Sequence, residues 1–261
     1  MDLAKYGPWA LIIGGSEGIG AEFARKLATG GFNLILIARK QAPLLELQAE
    51  LVDLGAQVRV ATVDLSADDA LGQVRTVTDG LEVGLLIYNA GANSVRGNFV
   101  ELDPAITRAV IMINAWNQSE FARHYGAAMA QRERGGIILC GSSSSYLGAP
   151  SLAAYTSAKA FSRVFTEALW AEMQPIGVDV LHLLVNFTAT PAMERLGINL
   201  ARAMPSAAVA AEGLGNIANG PVWIVGGEPA IDMSEKRSQV RDRAAVVRRF
   251  ATPQREAIIK N

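Results

Sequence analysis

The chain has 261 residues, of which 50% are hydrophobic and 19% are charged, and its formal net charge is -1. This composition is typical of a globular protein with a sizeable core, and it provides no global basic field to attract nucleic acid. One cysteine, Cys140, and two histidines, His124 and His182, exclude an internal disulfide and offer no obvious metal cluster. The apolar run at 9–13 is too short for a signal sequence or a membrane span, so we expect a cytoplasmic protein.

The first predicted element is a buried strand at 9–13, and a glycine loop separates it from a helix predicted at 21–29. Strand, glycine turn and helix in this order suit a dinucleotide. Gly14 permits the tight turn, Gly18 lets the backbone approach a pyrophosphate, and Gly20 lets the helix pack on the strand. A plain turn between strand and helix is the alternative. The loop residues that we predict to contact the dinucleotide are Gly14, Ser16, Glu17, Gly18, Ile19 and Gly20.

The end of the second predicted strand, at 33–38, indicates which dinucleotide binds. An NAD-preferring protein places a carboxylate there to accept a hydrogen bond from the ribose 2′-hydroxyl, whereas this chain has Ala38 followed by Arg39 and Lys40. Cations at this point favour a 2′-phosphate, and therefore NADP(H) over NAD(H). The alternative is that Arg39 only begins a solvated helix, and Glu17 adds no cationic help from the glycine loop.

Further strands and helices alternate along the chain. Helices are predicted at 42–54, about 67–78, 104–132 and 153–174, and strands at 57–63, 83–88, 137–141, 178–185 and 222–225. This alternation predicts parallel βαβ units, whose ligands bind at the carboxyl ends of the strands. The expected fold is a single α/β domain over residues 1–261: a Rossmann doubly wound parallel sheet of about seven strands with helices on both faces.

Polar motifs follow three of these strands. Asp64 and Leu65 follow the third strand and are placed to touch an adenine edge, although a turn or cap is an equally ordinary role for the aspartate. The fourth strand ends in Asn89-Ala90-Gly91, which we predict to contact the dinucleotide, and the fifth delivers Ser142.

Two helices carry further candidates. Asn114 lies among apolar neighbours in the helix predicted at 104–132, as either a satisfied structural group or a water-holding relay. Tyr155 and Lys159 are four positions apart in the next helix, so they project from one face. A neighbouring cation in a partly dry cleft can supply the roughly 4 kcal/mol that holds a phenol ready to ionise near pH 7. Ordinary packing beside a solvated charge gives the same spacing.

The last third of the chain has two notable segments. Residues 190–220 are rich in Ala, Met and Leu without a clear strand pattern, which predicts a mobile cover over a substrate cleft. Residues 233–251 are predicted to form a basic amphipathic helix, with eight basic and three acidic residues from Met233 onward. Such a helix can rest on an anionic membrane, but docking on its own domain or on a partner subunit is favoured.

Together these motifs resemble the short-chain dehydrogenase/reductase family over roughly residues 8–195. Within the family, segments 6–9, 37–39 and 80–84 look like the branch of 17β-hydroxysteroid dehydrogenases and 3-ketoacyl reductases. The glycine motif of the family matches Gly14, Gly18 and Gly20, and its Asn-Ala-Gly motif matches Asn89 to Gly91. Its Tyr-x-x-x-Lys pair matches Tyr155 and Lys159, and the serine that it keeps thirteen positions before the tyrosine is Ser142. Asn114 falls where the family keeps an asparagine in a helix.

The resemblance implies hydride transfer between a nicotinamide and a carbonyl or secondary alcohol of an apolar substrate, such as a steroid, a fatty acyl chain or an aromatic ketone. Tyr155 would be the acid or base, and Ser142 would position the reacting oxygen. Lys159 would hold the ribose hydroxyls and lower the pKa of the tyrosine, and Asn114 would hold a water that resupplies the proton. The resemblance also implies a homodimer or homotetramer.

Three departures from the family pattern stand out. Ile13 replaces a threonine, Tyr88 stands where a second asparagine is common, and Val185-Asn186 replaces the usual Pro-Gly. Thr188 and Thr190 are kept and can meet the carboxamide and a phosphate of the coenzyme. The altered pair supports an alternative, a catalytically idle nucleotide sensor or scaffold of the same fold. Dehydration or epimerisation on this fold is a nearer alternative.

Overall fold

The computed structural model describes residues 1–91, 96–195 and 197–249. Seven parallel strands form one sheet, and two short strands form a second. The strands are β1 Trp9–Ile13, β2 Asn33–Ala38, β3 Val58–Thr62, β4 Val83–Tyr88, β5 Gly135–Cys140, β6 Val178–Leu184, β7 Thr188–Ala189, β8 Met204–Pro205 and β9 Val222–Ile224. The helices are α1 Leu3–Tyr6, α2 Gly18–Thr29, α3 Gln41–Asp53, α4 Ala70–Thr78, α5 Pro104–Ile111, α6 Asn117–Gln131, α7 Ala153–Met173, α8 Pro191–Arg195, α9 Ser206–Gly215, α10 Glu228–Ser238 and α11 Arg243–Arg249.

The large sheet has the strand order β3-β2-β1-β4-β5-β6-β9, with helices on both faces. Alternate residues of β1 enter different cores: Ala10 and Ile12 pack on one face, and Leu11 and Ile13 on the other. Because both faces are covered, the strands are continuous apolar runs rather than alternating ones. The prediction of a single doubly wound parallel sheet with seven strands is confirmed.

The order of the strands reverses at β1, which pairs with β2 on one side and with β4 on the other. Ligands of such sheets bind in the crevice at this point. The glycine loop lies there, and α2 begins inside it at Gly18, three residues before the predicted start. Gly14 has a φ of +84°, and a Cβ on Gly20 would lie 1.9 Å from the Gly14 carbonyl oxygen. The strand and the helix therefore meet through backbone atoms.

The helix predicted at 104–132 is formed, but a π-helical turn interrupts it between α5 and α6. This turn spans Met112–Trp116 and includes Asn114, and the Asn117 amide bonds to the Met112 carbonyl five residues back. The buried Tyr88 hydroxyl donates to the Ile113 carbonyl at 2.8 Å. Such turns inside α-helices are frequent at functional sites.

The segment at 190–220 divides into two parts. The second part contains α9, whose Val209 and Ala210 are fully buried and which packs on α2, so these residues belong to the core. The first part contains α8 and the β7–β8 pair, in which Thr188 is opposite Met204. A covering role for the first part stays a prediction.

The helix predicted at 233–251 is divided in two by the turn at residues 239–242, and residues 250 and 251 lie outside the described part of the chain. The expectation of one continuous helix needs correction. The physical reason is a new helix start, because the Asp242 carboxylate accepts a hydrogen bond from the Ala245 amide at 2.9 Å. Both helices contact their own domain: Arg237 donates to the Ser143 carbonyl and Arg243 to that of Tyr146.

The described residues contain neither a membrane-spanning helix nor a cluster of metal-ligating side chains. None of their helices combines the length and the apolar character that crossing a bilayer requires. No group of three or more histidine, cysteine, aspartate or glutamate side chains in the same part of the chain could hold a metal ion.

We expect Gly20→Ala to destabilise the fold, because the new methyl group would overlap a backbone oxygen that cannot move without displacing the loop. Overpacking of this kind costs about 2 kcal/mol, which lowers the melting temperature by roughly 4–8 °C in a chain of this size. Gly215→Ala is the matched control, because a Cβ there meets no atom within 4 Å. Thermal unfolding followed by circular dichroism measures both, and equal melting temperatures would contradict the contact.

Candidate active site

A cleft of about 360 Å³ lies at the strand-order reversal, beside the carboxyl ends of β1, β2 and β4. It brings together most of the residues predicted to bind a dinucleotide: Gly14, Ser16, Glu17, Gly18, Ile19, Arg39, Lys40, Leu65, Asn89, Ala90, Gly91 and Thr190. Sequence reasoning missed six other lining residues: Ala38, Val63, Ile113, Ala192, Met193 and Arg195. Gly20, Asp64, Tyr155, Lys159 and Thr188 are not part of this lining.

The glycine loop fits a dinucleotide phosphate. Glu17 occupies the N-cap position of α2, yet its side chain makes no capping hydrogen bond to the first turn. Gly18 has a φ of +58° and faces Thr190, which a Cβ on the glycine would approach to 3.2 Å. The Asn89 amide group donates to the Gly14 carbonyl at 3.0 Å and supports the turn from behind. A helix start that its own side chain leaves uncapped favours an anion through its amides and dipole.

Arg39 and Lys40 both line the cleft at the end of β2, the position for which the sequence predicts a 2′-phosphate. Asp64 is exposed, and its carboxylate accepts hydrogen bonds from the Ser66 amide and hydroxyl at 2.9 and 2.7 Å. These bonds lower the pKa of Asp64, and the charge of Arg39 adds a smaller effect in the same direction. The Asp64 side chain therefore stabilises the turn after β3, as the sequence allowed. Its contact with an adenine edge stays a prediction.

Lys159 is the buried cation of the site. Its side chain is 3% exposed, and its ammonium donates to the Cys140 carbonyl at 3.1 Å, which joins α7 to the end of β5. The same nitrogen lies 5.8 Å from the centre of the Tyr155 ring. Burial lowers the pKa of Lys159 to about 8.

Gly91 is where the Asn-Ala-Gly turn meets the two helices. A Cβ on Gly91 would lie 3.3 Å from the Asn114 amide oxygen and 3.3 Å from the Lys159 nitrogen. The Asn114 amide group also donates to the Val110 carbonyl at 3.0 Å, which fixes its direction. The π-helical turn thus presents the Asn114 oxygen to the same glycine that the Lys159 ammonium faces.

Ser142 and Tyr155 are adjacent in space. The Ser142 oxygen accepts a hydrogen bond from the Ser144 amide at 3.1 Å, which holds the serine loop in a tight turn. Burial raises the pKa of Tyr155, and the hydrogen bond with Ser142 lowers it by less. The resemblance implies a lowered pKa for Tyr155, but the net effect of burial and Ser142 is to raise it.

The two threonines after β6 have different surroundings. Thr190 lines the cleft, and its hydroxyl oxygen accepts from the Met193 amide at 3.3 Å. Thr188 is buried and donates to the Asn186 carbonyl at 3.0 Å. The Asn186 side chain donates to the Val225 carbonyl at 2.8 Å, which ties the altered pair to the end of β9. The replacement of Pro-Gly therefore adds a side-chain contact at this point.

Arg195 is the most polar of the residues that sequence reasoning missed. It ends α8 and pairs with Glu17, which precedes it by 178 residues. The signal in the sequence is indirect: Pro191 starts a helix directly after Thr190, so a residue four positions later returns to the same side.

The comparisons with known proteins agree with this geometry. The family profile for short chain dehydrogenase matches residues 8–200. A very-long-chain 3-oxoacyl-CoA reductase from Neurospora crassa is 36% identical over 197 residues, which are 74% of this chain and 59% of the relative. A 7beta-hydroxysteroid dehydrogenase from Collinsella aerofaciens is 32% identical over 190 residues, which are 72% of each chain.

Solved structures give the same result. A 7beta-hydroxysteroid dehydrogenase structure superimposes with a TM-score of 0.89 and 26% identity, over 96% of this chain and 99% of that one. A short-chain dehydrogenase from Sphingobium yanoikuyae in complex with NADPH gives a TM-score of 0.78 and 27% identity, over 90% and 97% of the two chains.

The chain belongs to the short-chain dehydrogenase family, whose profile covers most of its length. The resemblance drawn from the glycine, Asn-Ala-Gly and Tyr-x-x-x-Lys motifs is thereby confirmed, including the branch that contains hydroxysteroid dehydrogenases and ketoacyl reductases. The chain spans about three-fifths of the length of the 3-oxoacyl-CoA reductases that it matches.

The buried charge of Lys159 should make stability depend on pH. Its pKa is about 8 when folded, below the value of the unfolded chain, so the cost of burying the charge is fully present below about pH 8 and disappears above about pH 10.5. We expect the free energy of unfolding of the wild type, relative to Lys159→Met, to rise by about 2 kcal/mol between about pH 7 and pH 10.

Urea unfolding of both proteins at the two pH values measures this difference. Lys26→Met, at an exposed position on α2, is the control for loss of a surface amine, and we expect an effect within about 0.5 kcal/mol at either pH. A difference between wild type and Lys159→Met that does not change with pH would contradict the cost assigned to burial.

Proposed function

We propose that this protein is an NADP-dependent oxidoreductase that transfers a hydride between a nicotinamide and a carbonyl or secondary alcohol of an apolar substrate. The observation that carries the proposal is the arrangement around Gly91. The glycine lines the dinucleotide cleft, and a Cβ on it would meet Lys159 and Asn114. Tyr155 lies beside the lysine and is hydrogen-bonded to Ser142, so the four polar side chains adjoin the cleft on the side of this glycine.

In the direction of reduction, Tyr155 donates its phenolic proton to the substrate oxygen as negative charge develops there. The Ser142 oxygen accepts a hydrogen bond from the Ser144 amide, so the hydroxyl proton of Ser142 is free to point towards the substrate. A hydrogen bond from this hydroxyl to the substrate oxygen would stabilise the developing negative charge. Lys159 places a positive charge beside the phenol, which favours the phenolate left after proton transfer. Asn114 presents an amide oxygen beside the lysine and can hold a water that returns the proton. The nicotinamide supplies the hydride when it is bound.

The preference for NADP rests on charge. Arg39 and Lys40 line the cleft at the end of β2, whereas Glu17 of the glycine loop is the only carboxylate in its lining among the described residues. A guanidinium binds phosphate oxygens in a bidentate manner, so Arg39 is the better candidate for a 2′-phosphate. The relative from Sphingobium yanoikuyae that was solved with NADPH supports the same choice.

The class of substrate is inferred from relatives and from the surroundings of the tyrosine. The named relatives are a 3-oxoacyl-CoA reductase and a 7beta-hydroxysteroid dehydrogenase, which favours a ketoacyl or steroid ketone over a small polar one. Tyr155 also borders a small cavity whose walls include Phe99, Leu102 and Ile106, so apolar side chains approach the phenol. An apolar substrate would bury this surface.

A homodimer is proposed for the assembly. Four large apolar side chains are about half exposed on α5, the π-helical turn and α7: Ile111, Trp116, Phe161 and Val164. Exposed apolar side chains that come together mark an interface in many soluble proteins. A second copy of this chain would cover them.

The alternative function is a nucleotide sensor without turnover, and Val185-Asn186 remains its best support in the sequence. The structure gives Asn186 a hydrogen bond to Val225, which shows how the altered turn is held. Ketone reduction and sensing differ in one readout. A sensor changes NADPH fluorescence without consuming NADPH.

We expect Tyr155→Phe to abolish NADPH oxidation while the affinity for NADPH stays within about tenfold of the wild type, because only the transferable proton is lost. The assay follows NADPH absorbance with steroid ketones, 3-ketoacyl thioesters and aromatic ketones. Tyr125→Phe is the matched control, since it removes a hydroxyl that bonds to Thr78 away from the cleft. Turnover that survives in the Tyr155→Phe variant would overturn the assignment.

Arg39→Ala should weaken NADPH binding by about tenfold and leave NADH binding within about threefold, because one phosphate contact contributes on the order of 1–2 kcal/mol. Titration of coenzyme fluorescence gives both dissociation constants. Arg123→Ala on α6 is the control, since Arg123 is exposed and does not line the cleft. Equal losses for the two coenzymes would count against a 2′-phosphate contact.

A further inference from the structure

The glycine loop carries an ion pair that neither the sequence motifs nor the catalytic arrangement uses. Arg195 at the end of α8 donates to both carboxylate oxygens of Glu17, through Nη1 at 3.0 Å and through Nη2 at a shorter distance. Both residues line the dinucleotide cleft. The pair therefore joins the loop before α2 to the segment after β7 within the lining of the cleft.

A carboxylate is an unfavourable neighbour for a phosphate. Glu17 is the residue immediately before α2, whose first amides are the expected phosphate ligands, and its side chain does not cap that helix. An unpaired negative charge there would repel a coenzyme that carries several negative charges, and would weaken the attraction of the helix dipole. Something in the chain has to cancel this charge if the loop binds phosphate.

The charges around Glu17 provide the cancellation. The hydrogen bond with Arg195 is the largest influence on Glu17 and lowers its pKa, burial acts in the opposite direction, and the charge of Lys40 lowers it further. The carboxylate is thus ionised and held by a partner of opposite charge. Arg195 is bidentate, which is the geometry that best fixes a carboxylate in direction.

We propose that Arg195 is a positioning residue for coenzyme binding: it neutralises Glu17 and turns that carboxylate away from the phosphate site of α2. The inference rests on the proposed binding of a nicotinamide dinucleotide. Its effect is on the pyrophosphate that NADPH and NADH share, so it differs from the effect of Arg39, which concerns the 2′-phosphate alone.

The test is a double-mutant cycle of Arg195→Gln, Glu17→Gln and the two together, read as the dissociation constants of NADPH and NADH by fluorescence titration. Arg195→Gln leaves a bare carboxylate, so we expect both coenzymes to bind about tenfold more weakly, with their ratio unchanged. Glu17→Gln removes the carboxylate and leaves the positive charge of Arg195 unpaired, so we expect both coenzymes to bind a few-fold more tightly than to the wild type. The double variant should recover to within about threefold of the wild type.

The recovery separates neutralisation from other roles of Arg195. If Arg195 contacted the coenzyme itself, or only stiffened α8, the double variant would stay as weak as Arg195→Gln, and the inference would be overturned. Unchanged affinity in Arg195→Gln would overturn it as well. Arg202→Gln is the matched control, since Arg202 is exposed in the same segment and does not line the cleft. A wild type that binds neither coenzyme would overturn the proposed function, and this inference with it.

Discussion

The contact between Gly14 and Gly20 is the constraint on which the rest of the site depends. A parallel sheet brings the ends of β1, β2 and β4 to one edge, but a phosphate can reach that edge only if the helix after β1 starts close to it. The missing side chain of Gly20 lets α2 pack against the Gly14 carbonyl, and Asn89 bonds to the same carbonyl from β4. One backbone oxygen thus positions the loop, the helix start and the neighbouring strand relative to one another.

Lys159 connects this edge to the residues that we propose to react. It is buried, so its charge needs a polar partner, and it finds the Cys140 carbonyl at the end of β5. Ser142 follows Cys140 by two residues, and Tyr155 precedes Lys159 by one helical turn. A single buried ammonium therefore sets the distance between a strand end and a helix, and with it the distance between the serine and the tyrosine.

Much of this could be predicted because the signals are local. Runs rich in apolar residues between predicted helices indicated the seven strands, and four-residue spacing placed Tyr155 and Lys159 on one face. The elements that were missed depend on distant partners: the β7–β8 pair is two residues long, and α9 is buried because α2 is beside it. Arg195 was missed for the same reason, since a charge pair across 178 residues leaves only the indirect signal of the short helix that begins at Pro191. The division at 239–242 was missed because a long amphipathic pattern hid the cap at Asp242.

The π-helical turn at 112–116 has a consequence for the surface of the whole helical run. A turn that bonds five residues back holds one residue more than an α-helical turn, so the side chains beyond it are rotated by about 100° around the axis relative to an uninterrupted helix. Deleting one residue would restore the regular pitch and swing the later faces away from their neighbours, even with the asparagine kept. Tyr88 stands where the family commonly has an asparagine. Its buried hydroxyl donates a hydrogen bond to the Ile113 carbonyl and so stabilises this irregular turn. The phase of the helix, and not the amide alone, decides which group faces Gly91.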